Sequence, residues 1–227
     1  MEKKKDKIIL RYLIFVIGLF TASLGVAFSA QAGLGTSPVS SVPYSVSLLS
    51  SVFTFGGWLN VFSMIQIAVQ VLILRKKCNP VEIIIQVILA FVYGYLTNFS
   101  CYLVKDIPVD TYPKQLLCMA AGCFILAFGI FIQFRAGVAM LPGEAMNRAI
   151  SSVSRFRYEN IKIFFDILYI AVSALLCIIF LKELKGVREG SIIAAIVIGN
   201  IIKLYNRIYD AITGKKENKQ KKSDTDR

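Results

Sequence analysis

LGVAFSAQAGLGTSPVSSVPYS (residues 24–45) is answered by FGIFIQFRAGVAMLPGEAMNRA (residues 128–149). The two stretches keep one offset: Gly25 matches Gly129, Ala32-Gly33 matches Ala136-Gly137, Pro38 matches Pro142, and beyond them Ser47 matches Ser151. Each runs from an apolar segment into Ala-Gly, a short irregular stretch, and a proline suited to the first turn of a helix. Later segments repeat as well, Ile67-Ala68-Val69 as Ile170-Ala171-Val172 and Gly94 as Gly199. The chain reads as an internal duplication.

Composition fixes the solvent of this duplication. Hydrophobic residues make up 56% of the 227, the mean hydropathy is +0.64, and no Asp, Glu, Lys or Arg lies between Arg11 and Arg75. An ordinary soluble domain does not have this composition. A bilayer core of about 30 Å takes roughly 20 apolar residues per helix. Six stretches qualify, at about 8–30, 57–75, 80–104, 115–134, 160–181 and 190–209. Lipid offers no hydrogen-bond partner to exposed backbone, and no period-two alternation supports a barrel, so the expected fold is all-α and polytopic. Residues 1–7 read as a basic cytoplasmic N-terminus, 8–104 and 105–210 as two membrane repeats, and 211–227 as a disordered basic tail.

The basic residues set the expected orientation. With the N-terminus inside, Lys105, Lys114, Lys182, Lys185 and Arg188 alone fall outside, and all other Lys and Arg residues fall inside. The positive-inside rule then places both termini in the cytoplasm. This bias accounts for the net charge of +12, so no nucleic-acid partner is expected, and membrane lipid is. The charged start resembles a signal n-region, but the long apolar run is reused as a repeat element and predicts a retained span. Three spans per half make the halves inverted repeats, an arrangement that commonly places a substrate site between them.

Residues 31–56 and their twin after residue 135 predict short re-entrant or interfacial helices, with free amides at the helix starts near Gly33, Gly35, Ser37 and Gly137. A structural corner is the competing reading. Glu144 and Arg148, four residues apart, read more readily as a surface ion pair than as a site. Asp166 lies well inside a span, where a bare carboxylate in lipid is costly, so it must face protein or water. Lys162, Asp166, Tyr169, Ser173 and Cys177 share one helical stripe, and in the first half Ser63, Gln66 and Gln70 occupy the matching positions. Two inward polar stripes build a polar path or ligand site, or else simply join helices, with Lys162 pairing Asp166. Gln86, Asn98 and Asn200 read as helix-joining groups.

The absence of histidine removes His-based metal sites and Ser-His or Cys-His catalysis. Five scattered cysteines without CxxC spacing predict neither a disulfide framework nor a metal centre. GLGTSP lacks the lysine of a phosphate loop. No enzyme, cofactor or ATP-driven motor is expected.

The order of spans, AGLGTSP with its proline-started helix, AGVAMLPGEAMNRAI, and GVREGS (186–191) resemble the bacterial YczE/YyaS/YitT family of membrane proteins over about residues 8–210. The resemblance implies a polytopic plasma-membrane protein of a largely uncharacterised family, associated with small-molecule export and with production of secreted lipopeptide antibiotics. The soluble C-terminal domain of relatives similar to YitT has no counterpart in these 227 residues.

The expectation is a secondary transporter or exporter of a small organic molecule. Its two halves rock about a site formed by Gly33, Gly35, Ser37, Gln66, Gln70, Gly137, Glu144, Asp166 and Tyr169. The ligand is unknown, and a homodimer would supply more interface. The alternatives are an accessory protein of a membrane-associated complex and a substrate-binding subunit served by a separate ATPase.

Overall fold

The computed structural model describes residues 2–75, 78–183 and 186–212. Lys76, Lys77, Lys185 and the expected tail from residue 213 onward lie outside the described residues. Among the described residues eight α-helices follow one another: α1 (Glu2–Gln31), α2 (Pro38–Leu49), α3 (Phe55–Leu74), α4 (Pro80–Val104), α5 (Tyr112–Ala136), α6 (Pro142–Val153), α7 (Tyr158–Leu176, extended by a π-turn Cys177–Leu181) and α8 (Glu189–Ile212). Six are long and apolar enough to cross a membrane: Ile9–Gln31, Phe55–Leu74, Pro80–Val104, Tyr112–Ala136, Tyr158–Leu181 and Glu189–Ile212. The expected all-α, polytopic class is what the chain adopts. Helix α1 starts at Glu2, so residues 2–7 continue the first helix back from the span that begins at Ile9.

Local signals explain the ends. Thr54 caps α3 by accepting from Gly57 N–H at 3.3 Å, and Asn79 caps α4 by accepting from Val81 N–H at 3.1 Å. The two Ala-Gly pairs end α1 and α5 in the same way. Gly33 and Gly137 take φ of 68° and 57°, the left-handed region that a helix C-terminus favours for glycine.

Helices α1 and α5 form the centre. They cross antiparallel, with Gly18 against Gly129 and Gln133, Gly25 against Leu126, and Gly122 against Ser29. A methyl group at Gly25 would sit 2.6 Å from Leu126 Cα, and one at Gly129 would sit 2.7 Å from Ala22 Cα, so only glycine admits this approach. Gln133 Nε2 donates to Gly18 O at 3.1 Å across the seam. The neighbours are arranged in matching pairs: α1 packs on α4 as α5 packs on α8, and α2 lies on α7 as α6 lies on α3. The outer faces carry exposed Leu72, Ile88, Leu117, Phe164, Ile167 and Ile196, which suits side chains turned to lipid.

One pair breaks the pattern. Helices α3 and α4 pack closely: Gly56 N–H donates to Asn98 Oδ1 at 2.8 Å, Asn98 Nδ2 donates to Thr54 Oγ1 at 2.8 Å, and Asn60 lies against Gly94. The matching pair, α7 and α8, has no comparable packing among the described residues. Its sequence says why. Glu159, Ile163 and Lys203 stand where the first half has Gly56, Asn60 and Asn98, and Gly199, the twin of Gly94, faces open space.

Both ends of the bundle are pinned. Arg11 Nε donates to Ala136 O at 2.8 Å, and Arg135 meets Asp210 at 3.0 Å while its guanidinium lies 3.9 Å from the centre of the Tyr209 ring. Helix α8 therefore runs to Ile212, past the expected end near 209. These contacts put the starts of α1 and α7 and the ends of α5 and α8 on one face; Gln31 bonds Lys105 O and Ile107 O at the other.

Gly129→Leu is expected to destabilise the protein by about 1–3 kcal/mol or more, as overpacking of a tight seam does. Gly199→Ala, in open space, should leave stability unchanged. Thermal unfolding of the two variants in nanodiscs checks this contrast.

Candidate functional site

Helices α2 and α6 are 12 residues each, about 18 Å at 1.5 Å per residue, too short for a bilayer. Neither lies flat on a surface. Leu34 and Thr36, on the approach to α2, are fully buried, and so are Ser41 and Ser45 on the helix itself. The chain thus turns inward after α1, starts α2 inside the protein and returns along α7. Ser173 Oγ donates to Ser41 O at 3.0 Å, the Ser45 and Ser173 hydroxyls bond each other, and Cys177 Sγ donates to Ser45 Oγ at 3.3 Å. Helix α6 does the same against α3, where a methyl group at Gly143 would come within 3.2 Å of the Gln66 amide.

The two inward helix starts converge on a cavity of about 210 Å³. Ser37, Pro38, Val39 and Ser40 of α2 reach it from one side; Gly143, Glu144 and Asn147 of α6 reach it from the other. Helix α7 contributes Lys162, Asp166 and Tyr169. Leu126, Ile130 and Phe134 of α5 and Ala195, Ile198, Gly199 and Ile202 of α8 supply an apolar wall. Ala195 and Gly199 are exposed, so the cavity opens along α8 beside α7, where the bundle is not closed.

Charge on the polar wall is unevenly paired. Lys162 Nζ lies 3.7 Å from Asp166 Oδ2, the pair anticipated from the helical stripe. Glu144 does not form the expected ion pair with Arg148, whose guanidinium points to Met140 Sδ at 3.6 Å. Its carboxyl is half-buried and lines a second hollow of about 480 Å³ with Arg148 and Tyr158. Glu144 lies outside the six spans, and its surroundings keep its pKa above the ordinary glutamate value: burial raises it most, Lys162 lowers it and Asp166 raises it. Asn147 is buried, and its Oδ1 has no hydrogen-bond partner.

The nine residues singled out from sequence fall into four places. Ser37, Glu144, Asp166 and Tyr169 line the cavity. Gln66 stands behind it, its Nε2 donating to Tyr169 Oη at 3.2 Å, and these are matching positions of the two halves. Gln70 is buried on α3 with its Oε1 unpartnered, away from the cavity lining. Gly33, Gly35 and Gly137 do not line it: Gly33 and Gly137 close helices, while Gly35, at φ 99°, forms a bridge with Val187 before α8. Asn147 was missed, although its place one turn after Glu144 puts it on the same helix face. Of the helix-joining groups, Asn98 links α3 and α4, Asn200 Nδ2 donates only to Ile196 O of its own helix at 3.1 Å, and buried Gln86 has no partner at either amide atom. The five cysteines are free, and no cluster of metal-ligating side chains occurs among the described residues.

Residues 9–207 match a family of unknown function, DUF6198. The chain belongs to that family. It is also similar to the uncharacterized protein YyaS of Bacillus subtilis (strain 168), 26% identical over 147 residues, which are 64% of this chain and 71% of YyaS. The expected likeness to a family that includes YyaS therefore holds. No solved structure matches this DUF6198 protein.

Infrared titration of the Glu144 carboxyl, assigned with Glu144→Gln, should show protonation persisting above the usual glutamate range. Lys162→Met removes a charge that lowers the Glu144 pKa and should move the titration to higher pH. Asp166→Asn removes one that raises it, frees Lys162, and should move the titration to lower pH.

Proposed function

We propose that this integral membrane protein is a secondary transporter of a small organic molecule, working in the bacterial plasma membrane with both termini in the cytoplasm. One observation carries the reading: two short helix starts, one from each half, meet at a partly polar cavity beside α7 and α8, whose packing among the described residues departs from that of α3 and α4. Short inward helices placed at matching points of two opposed repeats are a recurrent way to build a transport site. The antiparallel α1–α5 crossing and the matched neighbours support treating the halves as inverted repeats. Arg11, Arg135, Arg148, Arg155, Arg157 and Lys203 belong to the end of the bundle that holds the N-terminus, which favours that end as cytoplasmic.

Transport then follows from the broken pairing. In the arrangement described, α3 and α4 are clamped by Asn98 while α7 and α8 stand apart, so the cavity is accessible on one side. Exchanging these roles, with α7 closing on Gly199 as α3 closes on Gly94 and with α3 leaving α4, opens it on the other. The Asn98 hydrogen bonds oppose that exchange, so the second state is the minor one until ligand stabilises it.

Spin labels at Val61 and Phe91 report the α3–α4 distance, and labels at Ile167 and Ile196 the α7–α8 distance, in a cysteine-free background in nanodiscs. Two populations are expected for each pair, with the longer α3–α4 distance enriched by Asn98→Ala. A single distribution for both pairs, unmoved by that substitution, would contradict transport by this motion.

A further inference from the structure

The cavity carries more chemistry than a transport reading requires. Two carboxylates, Glu144 and Asp166, face it against one ammonium, Lys162, and that ammonium is already engaged at 3.7 Å by Asp166. Glu144 keeps no ion pair among the described residues, so the wall has one carboxylate in excess. One turn further along α6, Asn147 lines the cavity, is 4% exposed, and has a side-chain carbonyl oxygen to which nothing donates among the described residues. A buried acceptor left without a donor is destabilising. The polar wall therefore lacks a group that is cationic and carries N–H donors. The start of α2 acts the other way, since a helix N-terminus favours negative charge. Its effect is blunted because the Ser40 N–H is already bonded to Ser37 O at 3.0 Å and Pro38 has no N–H to offer.

The opposite wall sets the rest of the ligand. Leu126, Ile130, Phe134, Ile198 and Ile202 offer no polar side-chain atom, so this wall suits the apolar part of a ligand. At about 210 Å³ the space is below the usual range for drug-sized ligands, about 300–1,000 Å³. It suits a compact body and not a large amphiphile.

We propose that the cavity binds a small protonated amine carrying a compact apolar body, its ammonium between Glu144 and Asn147 Oδ1 and its apolar part against α5 and α8. Resting on the transport reading, this makes the substrate class a hydrophobic organic cation. The raised Glu144 pKa fits the same chemistry, because a proton and an ammonium compete for one carboxylate; Lys162 and Asp166 of α7 modulate that competition, and Arg148 of α6 and Tyr158 of α7 line the adjoining hollow with Glu144.

The test is calorimetric titration of the protein in nanodiscs, with empty nanodiscs subtracted, using cyclohexylammonium, cyclohexanol and cyclohexanecarboxylate. Cyclohexylammonium should bind saturably, at least about tenfold more tightly than either analogue, as expected when a buried acceptor and a charge both select the donor. Glu144→Gln and Asn147→Leu should each weaken it by about tenfold or more, with unliganded melting temperatures near that of the wild type; Glu144→Asp should retain part of the affinity. Carboxylate binding as tight as amine binding, no amine binding, or amine binding indifferent to both variants would overturn the assignment. The spin-label distances keep the two claims apart. Two states without amine binding leave a transporter of something else, and amine binding without a second state leaves a binding protein that does not transport by this motion.

Discussion

Everything else in this structure depends on the crossing of α1 and α5. Helices in lipid gain little by hiding apolar surface from each other, so close packing and a few hydrogen bonds must hold them together. Gly18, Gly25, Gly122 and Gly129 let the two backbones approach where any side chain would collide, and Gln133 adds a hydrogen bond to Gly18 O. The same glycines stand at matching places in the two halves, so a single kind of contact is used twice across the seam. Around this rigid centre the remaining helices are carried in pairs, and the two inward helices α2 and α6 each reach across to the other half.

The α2–α7 and α6–α3 seams solve one problem with different chemistry. Burying the start of a helix requires partners for its polar groups. Against α7, α2 uses a serine ladder, Ser41 and Ser45 with Ser173 and Cys177. Against α3, α6 sets Gly143 beside Gln66 and leaves the Asn147 and Gln70 carbonyl oxygens unmatched. The serine ladder is satisfied and the α6 seam is not, and Asn147 of α6 brings an unmatched carbonyl group to the cavity lining. Between the seams, Gln66 and Tyr169 bond each other at the centre of the duplication.

Much of this was legible in the residues. The paired Ala-Gly and Pro signals located both inward helices, apolar length located six spans to within about three residues, and the Asp166 stripe pointed to the cavity wall. The glycines of AGLGTSP were read as candidates to line a site because glycine permits close approach, yet Gly33 and Gly35 spend that freedom on a helix end and a bridge to Val187. Glu144 and Arg148 have ideal spacing for an ion pair, but the guanidinium turns to Met140, so spacing alone did not decide the partner. The opening beside α8 had no direct sequence signal: apolar α8 residues look alike whether they meet a helix or lipid. Only the comparison of Gly56, Asn60 and Asn98 with Glu159, Ile163 and Lys203 shows why one pair closes and the other does not.

The central claim is that one cavity, between two matched inward helices, is reached alternately from the two sides of the membrane. Ser37 lines it from the start of α2, so the most direct measurement is labelling of Ser37→Cys, in a cysteine-free background, by a membrane-impermeant maleimide in right-side-out and inside-out vesicles. The account predicts labelling from both sides, with cyclohexylammonium altering the ratio. Labelling confined to one side under every condition, in a variant that remains folded, would contradict it.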